Sequence, residues 1–499
     1  FAAHHDAELG GSQLPWLITQ ACYAQFYAAN ISTTAYGFLT AAAANLLRAY
    51  GSDTQKATYL PLMLEGHYFG TMAMSEPQAG SSLADIRTRA DLAGDGSYRL
   101  YGNKMWISGG EHELSENIIH LVLARAKGSP AGVTGLSLFL VPRYRLDGAN
   151  NDVNLAGLNH KMGFRGTVNT VLNFGERGDC HGWLVGPLNK GMTCMFHMMN
   201  EARIVIGLAA AALAYAGFRV SLAYALERVQ GRDIEAKDAS APPVRIICHA
   251  DVRRMLLQQK AYAEGALALG LYLARLVDDQ KTAADSAVRA EAGLLLDLLT
   301  PIMKAWASDF GLVANSLAIQ VLGGYGYSRE YPVEQFYRDN RLNPIHEGTN
   351  GIQAADLLGR KVVMQDGAAF RLLMREVEAT AADSAAVPAL KDYAETLRAA
   401  ATAVSTTTAA LVAARSGAGL AVALANAPSY LEMTGHMVIA WMWLRQARAA
   451  LRFSLDDYRR GKLQACRYFF RWELPKVLVL AERLAGLDIT ALEMEETWF

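Results

Sequence analysis

The densest group of residues able to do chemistry lies between positions 323 and 356, which read GGYGYSREYPVEQFYRDNRLNPIHEGTNGIQAAD. Glycines open this segment, and Pro332 and Pro344 stiffen the loop that follows. One carboxylate, that of Glu347, comes just before an apolar-periodic stretch that begins at Ile352. This order indicates a single acid group held at a loop–helix junction, with backbone N–H donors beside it.

Composition limits the classes of function. The chain has 499 residues, of which 52% are hydrophobic and 19% charged, so it can bury the cores of several domains. Its 47 Lys and Arg residues against 48 Asp and Glu residues give a net charge of −1. This balance argues against a nucleic-acid partner, which would require a basic surface. The five scattered cysteines show no C-x-x-C spacing, which indicates a reducing compartment and no zinc or other metal site.

The hydrophobic period changes twice along the chain. Residues 1–70 are typical of helices, with one predicted over 12–30 and another over 40–50. Residues 71–185 contain short β-rich runs separated by turn signals, which predict an antiparallel barrel or sandwich. Residues 186–365 are helical again, apart from a charged loop over 230–244, and an alanine-rich helical region occupies 366–499.

Two apolar runs, 204–218 and 416–431, are shorter than the roughly 20 residues that a membrane-spanning helix needs. We therefore expect both to be buried helices of a bundle, with no membrane span. No secretory signal is visible, and because the chain begins at Phe1 we expect a preceding N-terminal segment. Together with the unpaired cysteines, this predicts a bacterial cytoplasmic protein, with the mitochondrial matrix as the alternative.

The segment 323–356 resembles the signature of the acyl-CoA dehydrogenases, flavoenzymes that introduce a double bond between Cα and Cβ of an acyl thioester. The resemblance implies that Glu347 is the catalytic base. It also implies an α+β multidomain fold: an N-terminal helical domain, a central antiparallel β domain, and a C-terminal four-helix bundle with an extra helical extension. That extension is similar to the longer branch of the family, which includes 3-methylmercaptopropionyl-CoA and broad-range acyl-CoA dehydrogenases.

Two further runs carry the resemblance and imply FAD as the cofactor. MSEPQAGSS (74–82) is similar to the family's flavin-binding turn, although by itself it could be a surface loop capped by Glu76 and Pro77. KMWISGG (104–110) is similar to the strand that places a tryptophan against the flavin ring, although a tryptophan at a strand end is usually a core residue. The flavin contacts implied in these two regions are Met72, Met74, Ser75, Gly80, Ser81, Trp106, Ile107 and Ser108.

A second set of residues matches family positions that bind the FAD of a neighbouring subunit, which implies a homodimer or a higher homo-oligomer. These are Arg228, whose guanidinium suits a pyrophosphate, with Gln230, Gln320, Gly323 and Gly324. By itself, Arg228 could equally be an exposed helix end. Thr349 and Gly351 match a further FAD contact, where Gly351 replaces the glutamine of shorter relatives.

The substrate contacts that the resemblance implies are Ser81, Asn200, Arg203 and Gly348. Asn200 and Arg203 are predicted to open the long helix and to hold the pantetheine arm, with Asn200 in place of the aspartate of shorter relatives. Some relatives carry the base on this helix, at the position of Ala202, and alanine cannot serve. The adjacent Glu201 is one residue away from that position, which rotates it by about 100° around the helix and away from the thioester.

The resemblance implies acyl-CoA as the substrate and electron-transfer flavoprotein as the electron acceptor. Two alternatives remain open at this point: an acyl-CoA oxidase, which would form H₂O₂ rapidly with substrate, and a non-catalytic acyl-CoA-binding relative. His346, where relatives often carry tyrosine, is expected to serve packing rather than tuning of the Glu347 pKa. The length of the acyl chain is left undetermined.

Overall fold

The computed structural model describes residues 2–235, 240–454 and 456–499. The contacts divide the chain into two compact units, Phe1–Ala202 and Arg203–Phe499. The division falls inside one long helix.

The first unit begins with helices α1 (Trp16–Tyr50) and α2 (Asp53–Glu65). The two helices predicted over 12–30 and 40–50 form one helix, because residues 31–39 are also helical and α1 is interrupted only by a kink at Asn30, which has non-helical backbone angles. Its side-chain Oδ1 accepts a hydrogen bond of 3.0 Å from the Thr33 N–H and so caps the continuing helix. Helix α2 starts with a capping box between Ser52 and Gln55.

Eight strands follow: β1 (Tyr68–Ala73), β2 (Arg89–Leu92), β3 (Tyr98–Ser108), β4 (Asn117–Ala126), β5 (Leu136–Pro142), β6 (Val153–Leu158), β7 (Asn169–Phe174) and β8 (His181–Val185). Their order in the sheet is β1-β4-β5-β8-β3-β7-β6, with β2 paired to β3 and β4. The β domain is confirmed, but its purely antiparallel character was wrong, because β1 and β2 each pair with β4 in parallel. Pairing between distant strands is not encoded in local periodicity.

The first unit has two apolar cores. One lies between the strand faces and includes Leu100, Val122, Phe139 and Leu172, all fully buried. The other packs α1 and α2 against β1, β4 and β5. The end of β1 contributes to both cores, through Met72 and Ala73, whereas β3 contributes only to the first, through Leu100 and Ile107.

The helices of the second unit are α3 (Gly191–Glu227, which starts in the first unit), α4 (Ala250–Thr282), α5 (Ser286–Leu322), α6 (Val333–Asn340), α7 (Asn350–Asp356), α8 (Met364–Ala385), α9 (Lys391–Gly417), α10 (Leu420–Leu424), α11 (Ala427–Ala450), α12 (Asp457–Tyr468), α13 (Lys476–Ala485) and α14 (Thr490–Glu493). Two short π-helical segments, Leu357–Lys361 and Phe469–Glu473, follow α7 and α12. The predicted loop over 230–244 lies between α3 and α4, and its residues 236–239 fall outside the described part of the chain.

The two apolar runs differ in their outcome. Residues 204–218 lie in α3 and are mostly buried, as predicted. Residues 416–431 do not form one buried helix, because the chain breaks around α10 and many of these residues are exposed. By length and apolarity alone, α3 and the segment Pro388–Gly417 could cross a membrane, with 78% and 39% of their apolar windows buried. This is weak evidence for a span, since core helices pass the same test.

A buried carboxylate joins the C-terminal extension to the helical bundle. Glu473 is 2% exposed and accepts hydrogen bonds from Tyr262 Oη on α4 (2.7 Å), Tyr468 Oη (3.2 Å) and Lys476 Nζ (2.5 Å). Burial raises its pKa, but the nearby His436 side chain and the hydrogen bonds from Lys476 and Tyr262 outweigh burial and lower the pKa to about 2. Glu473 is therefore ionised and contributes to the attachment of the extension.

We expect Glu473→Gln to destabilise the protein by about 3 kcal/mol at pH 7, because it removes the buried negative charge to which Lys476 and the two tyrosines donate. The pKa of Glu473 is lower in the folded state, so its contribution is present above the ordinary value of 4.5 and is lost as pH falls towards about 2. Thermal unfolding at pH 7 and pH 4 tests this, with Glu482→Gln on the exposed face of α13 as the control. Equal unfolding temperatures for the two variants at pH 7 would contradict the prediction.

Candidate active site

Glu347 lies in a turn with an unusual backbone. It has φ of 55°, and the next residue, Gly348, has φ of 85°, so two consecutive residues are left-handed. A non-glycine residue rarely adopts this conformation, and such strain is concentrated at functional sites. Glycine is required at 348, since an added Cβ would lie 2.7 Å from Gln353 Nε2. The predicted helix start is confirmed, because α7 begins at Asn350 with Thr349 as its N-cap.

The carboxyl group of Glu347 is buried although the residue as a whole is partly exposed. Its Oε2 is inaccessible and has no hydrogen-bond partner among the described residues. Burial raises the pKa of Glu347, while the positive charges of Arg203 and Lys304 oppose that shift and lower it. The net direction is upwards, which is what a base acting near neutral pH requires.

Lys304 was not identified by sequence reasoning. It lies on α5, is completely buried, and its Nζ donates to Gly348 O (2.7 Å) and Asn350 Oδ1 (2.9 Å). Burial lowers its pKa to about 7, against the opposing effect of the Glu347 charge. In the sequence, Lys304 is one lysine within an apolar helix, and only a charged residue in an otherwise buried helical face could have drawn attention to it.

Arg203 belongs to this group of buried charges. It is 6% exposed, so it is not a solvated helix arginine, and its Nε has no hydrogen-bond partner in the described parts of the chain. Burial lowers its pKa, and the carboxylates of Asp356 and Glu347 raise it. The prediction that Asn200 and Arg203 open the long helix was wrong, because α3 begins at Gly191, more than two turns earlier. Asn200 is exposed.

In the first unit, an ion pair inside the protein fixes the turn at residues 74–82. Glu76 is 4% exposed, so it does not cap a surface loop as the alternative interpretation had it. Lys104 Nζ lies 2.9 Å from both Glu76 Oε1 and Met74 O. The Met105 N–H donates to Ser75 O over 3.0 Å. These contacts bring the turn and the end of β3 together.

The end of β3 presents one aromatic ring to solvent. Trp106 is 57% exposed and has φ of 64°, at an irregularity in the β3–β7 pairing between Lys104 and Ile107. Ile107 is 2% exposed and packs in the apolar core, so only its backbone is available for a flavin. The Ser108 hydroxyl accepts a hydrogen bond of 3.2 Å from Asn169 Nδ2.

The remaining predicted flavin residues of this unit lie at the end of β1 and in the turn that follows it. Met72 and Met74 are half-buried at the end of β1, where they pack against the core. Gly80 and Ser81 are exposed in the turn, and a Cβ added at Gly80 would meet nothing within 4 Å. The turn and strand ends thus form one accessible surface with an exposed indole and open backbone.

The residues predicted to reach a partner's FAD cluster on the second unit. Arg228 Nη2 donates to Gln230 Oε1 over 2.9 Å, and its guanidinium lies 5.9 Å from the centre of the Tyr325 ring. Gln320, Gly323 and Gly324 are exposed at the end of α5, next to Tyr325. Gly323 adopts φ of 61° with no atom near an added Cβ, which leaves its backbone open.

Two residues considered in connection with the candidate base have other contacts. Glu201 Oε2 accepts a hydrogen bond of 2.8 Å from Asn45 Nδ2 within the first unit. The His346 ring is within hydrogen-bonding distance (3.0 Å) of Asn343 Oδ1, which fits the packing role expected for it. Among the residues that the structure describes, no group of three or more His, Cys, Asp or Glu side chains is placed to bind a metal ion.

Comparison with known proteins matches nearly the whole chain to consecutive family domains. Residues 1–67, 71–176 and 189–363 match the N-terminal, middle and C-terminal domains of acyl-CoA dehydrogenase, and 373–495 match "Acetyl-CoA dehydrogenase C-terminal like". The crystal structure of an acyl-CoA dehydrogenase complexed with FAD from Bacillus anthracis superimposes with a TM-score of 0.81 at 20% identity, covering 99% of this chain and 82% of that one. This likeness supports the fold.

Two relatives carry the sequence relationship. The 3-methylmercaptopropionyl-CoA dehydrogenase of Ruegeria pomeroyi is 40% identical over 381 residues, which cover 75% of this chain and 64% of that protein. The broad-specificity linear acyl-CoA dehydrogenase FadE5 of Mycobacterium tuberculosis is 34% identical over 517 residues, covering 99% of this chain and 84% of that protein. The chain therefore belongs to the acyl-CoA dehydrogenase family, in the branch with a C-terminal helical extension.

Proposed function

We propose that this protein oxidises an acyl-CoA thioester to the trans-2-enoyl-CoA, with Glu347 as the base that removes the α-proton and FAD as the cofactor. The observation that carries the proposal is the buried, unpaired Oε2 of Glu347 on a left-handed turn that precedes α7. The named relatives are dehydrogenases, which gives the oxidase and non-catalytic alternatives no support. The reaction is an oxidation step of fatty-acid β-oxidation, and we expect it in the bacterial cytoplasm.

The residues on the accessible surface of the first unit fit a flavin. An exposed indole at Trp106 and half-buried Met72 and Met74 offer an apolar wall, and exposed Gly80 and Ser81 leave backbone groups free to approach a ring edge. The exposed guanidinium of Arg228 suits a pyrophosphate. Bound FAD would supply the acceptor for the hydride that leaves the substrate Cβ.

Glu347 supplies the proton acceptor. A thioester α-proton is weakly acidic, so a base with an ordinary carboxylate pKa has little drive to remove it. Burial raises the pKa of Glu347 and increases that drive, and binding of an apolar acyl chain would exclude more water and act in the same direction. The backbone N–H of Glu347 would donate to the thioester oxygen and so stabilise the developing enolate.

The other substrate contacts follow the family positions. We assign Arg203, Asn200, Gly348 and Ser81 to the pantetheine arm and the thioester. The buried Arg203 guanidinium, with its unpaired Nε, has donor capacity left for a bound ligand. Electrons would pass to electron-transfer flavoprotein.

We expect Glu347→Gln to keep the fold, the yellow colour and acyl-CoA binding, while losing the deprotonation step. Glutamine has the same size and leaves the backbone N–H in place but cannot accept the proton. General-base catalysis contributes about 10²–10⁴-fold, so flavin reduction on anaerobic mixing with acyl-CoA should slow at least about a hundredfold. Glu201→Gln is the matched control and should reduce at the wild-type rate. Near-wild-type reduction of Glu347→Gln would instead direct attention to Glu201.

We expect Arg228→Ala to weaken FAD retention in a homodimer or a larger homo-oligomer, because the guanidinium would bind the pyrophosphate of the neighbouring subunit's FAD. The ratio of flavin to protein absorbance after gel filtration measures retention. Arg219→Ala, which removes another exposed arginine of α3, should keep the cofactor. A monomer by light scattering with full FAD content and activity would refute the subunit-sharing arrangement.

A further inference from the structure

The turn that carries Glu347 needs an external constraint. Two consecutive left-handed residues, Glu347 and Gly348, form a conformation that a free loop would leave, and it persists only where its surroundings fix it. One constraint comes from within the segment: Gln353 Nε2 on α7 donates to Glu347 O (3.2 Å) and Gly348 O (3.4 Å). These two bonds are long and shared by one donor.

The stronger constraint comes from α5. Lys304 Nζ lies 2.7 Å from Gly348 O and 2.9 Å from Asn350 Oδ1, so one buried group holds both the turn and the first residue of α7. Asn350 extends the attachment, because its Nδ2 donates to Ala305 O (3.2 Å) and Ser308 Oγ (3.0 Å), also on α5. Both oxygens that accept from Lys304 are uncharged. A lysine is costly to bury without a bonded carboxylate, so its retention here calls for a reason.

We propose that Lys304 is a positioning residue for Glu347: it fixes the left-handed turn against α5 and places a positive charge beside the buried carboxyl group. The proposal rests on the proposed function of Glu347 as the base. Lys304 does not touch the reacting atoms in this assignment and acts only through Glu347.

The charges around Lys304 and Glu347 decide the expected pH dependence. Arg203 on α3 acts on both groups, and Asp309 on α5 acts on Lys304. Asp356 on α7 and Arg360 in the π-helical segment act on Arg203, and Glu432 and Arg341 act on Asp309. Arg203 and Lys304 are the two cations that favour the ionised form of Glu347. Because the pKa of Lys304 is lowered only to about 7, its positive charge is present on the acid side of that value. Removing its charge should therefore raise the pH at which Glu347 becomes ionised.

The experiment compares the Lys304→Met, Lys304→Gln and Lys304→Arg holoenzymes by steady-state kinetics across pH with an acyl-CoA and an artificial electron acceptor. For Lys304→Met we expect kcat to fall at least about tenfold with a smaller change in KM, and the acid limb of kcat/KM to move up by about one pH unit. Lys304→Arg keeps the charge and should restore the position of the limb. Lys304→Gln keeps an N–H donor without a charge, so the limb should stay shifted as in Lys304→Met.

Two controls separate positioning from general stability. Lys361→Met removes another buried lysine of the same unit, paired with Asp297 at 2.5 Å, and should lower the unfolding temperature without moving the acid limb. Combining Lys304→Met with Glu347→Gln should slow the reaction little beyond Glu347→Gln alone, since residues that act as one unit are not additive.

A readout that needs no turnover tests the same point. Two pairs are compared: wild type with Glu347→Gln, and Lys304→Met with Lys304→Met/Glu347→Gln. In each pair the difference in unfolding temperature should change as pH rises above 4.5 and level off near the pKa of Glu347. The pKa is raised in the folded state, so the carboxyl group's contribution is full at low pH and is lost over this interval. The levelling point should lie at higher pH in the Lys304→Met background.

Three results would overturn the proposal. The first is a Lys304→Met enzyme with wild-type kcat and an unmoved acid limb. The second is an acid limb that stays shifted in Lys304→Arg. The third is a Lys304→Met substitution that slows the reaction by the same factor in the wild-type and Glu347→Gln backgrounds. Failure of wild type to be reduced by any acyl-CoA would instead refute the proposed function. The unfolding measurement would still report whether Lys304 acts on Glu347.

Discussion

A carboxylate takes a proton from carbon more readily when its own pKa is raised towards neutral, and burial is the most direct means of raising it. In this chain, burial of the Glu347 carboxyl group has a cost that the surrounding residues must offset. Arg203 and Lys304 limit how far the pKa rises, and both are themselves taken out of water. The site thus contains three buried ionisable groups, in which the negative charge of Glu347 and the positive charges of Arg203 and Lys304 partly offset the cost of burying one another.

In each of the two units, a buried lysine donates to a backbone carbonyl and fixes a turn. In the first unit, Lys104 binds Met74 O and fixes the turn that we assign to the flavin. In the second, Lys304 binds Gly348 O and fixes the turn that carries the base. Lys104 also forms a buried ion pair with Glu76, and its pKa falls only to about 8, whereas that of Lys304 falls to about 7. Without a bonded carboxylate, Lys304 is the more perturbed of the two.

Sequence patterns could predict the parts of this structure that depend on local information. The long helices and the start of α7 follow from helical periodicity and capping residues, whereas the kink at Asn30 was not predicted. The dense motif around Glu347 identified the candidate base. The parallel pairing of β1 with β4 could not be predicted, because it joins segments whose partners are not encoded nearby. Short β2 and β6 carry too few residues for a clear period.

The features of the site that were not predicted share one property: they depend on contacts and side-chain orientations that only the folded chain creates. Nothing near Lys304 in the sequence indicates that its ammonium group meets a carbonyl more than forty residues away. Ile107 matches the family position, yet the irregularity beside Trp106 turns its side chain into the core. A match to a family motif identifies the residue that occupies a given position in the chain. Only the fold decides whether the side chain or the backbone is presented there.

The C-terminal extension is part of the support for α5 and therefore for the turn that α5 holds. Trp306, two residues after Lys304, is fully buried, and its Nε1 lies 3.3 Å from His436 Nδ1 on α11. Gly435 allows this approach, since an added Cβ would lie 2.4 Å from the Trp306 ring. Close-packed interiors transmit displacement, so a shift of α11 would be felt along α5 at Lys304. The extension thus contributes to the rigidity on which the position of Glu347 depends.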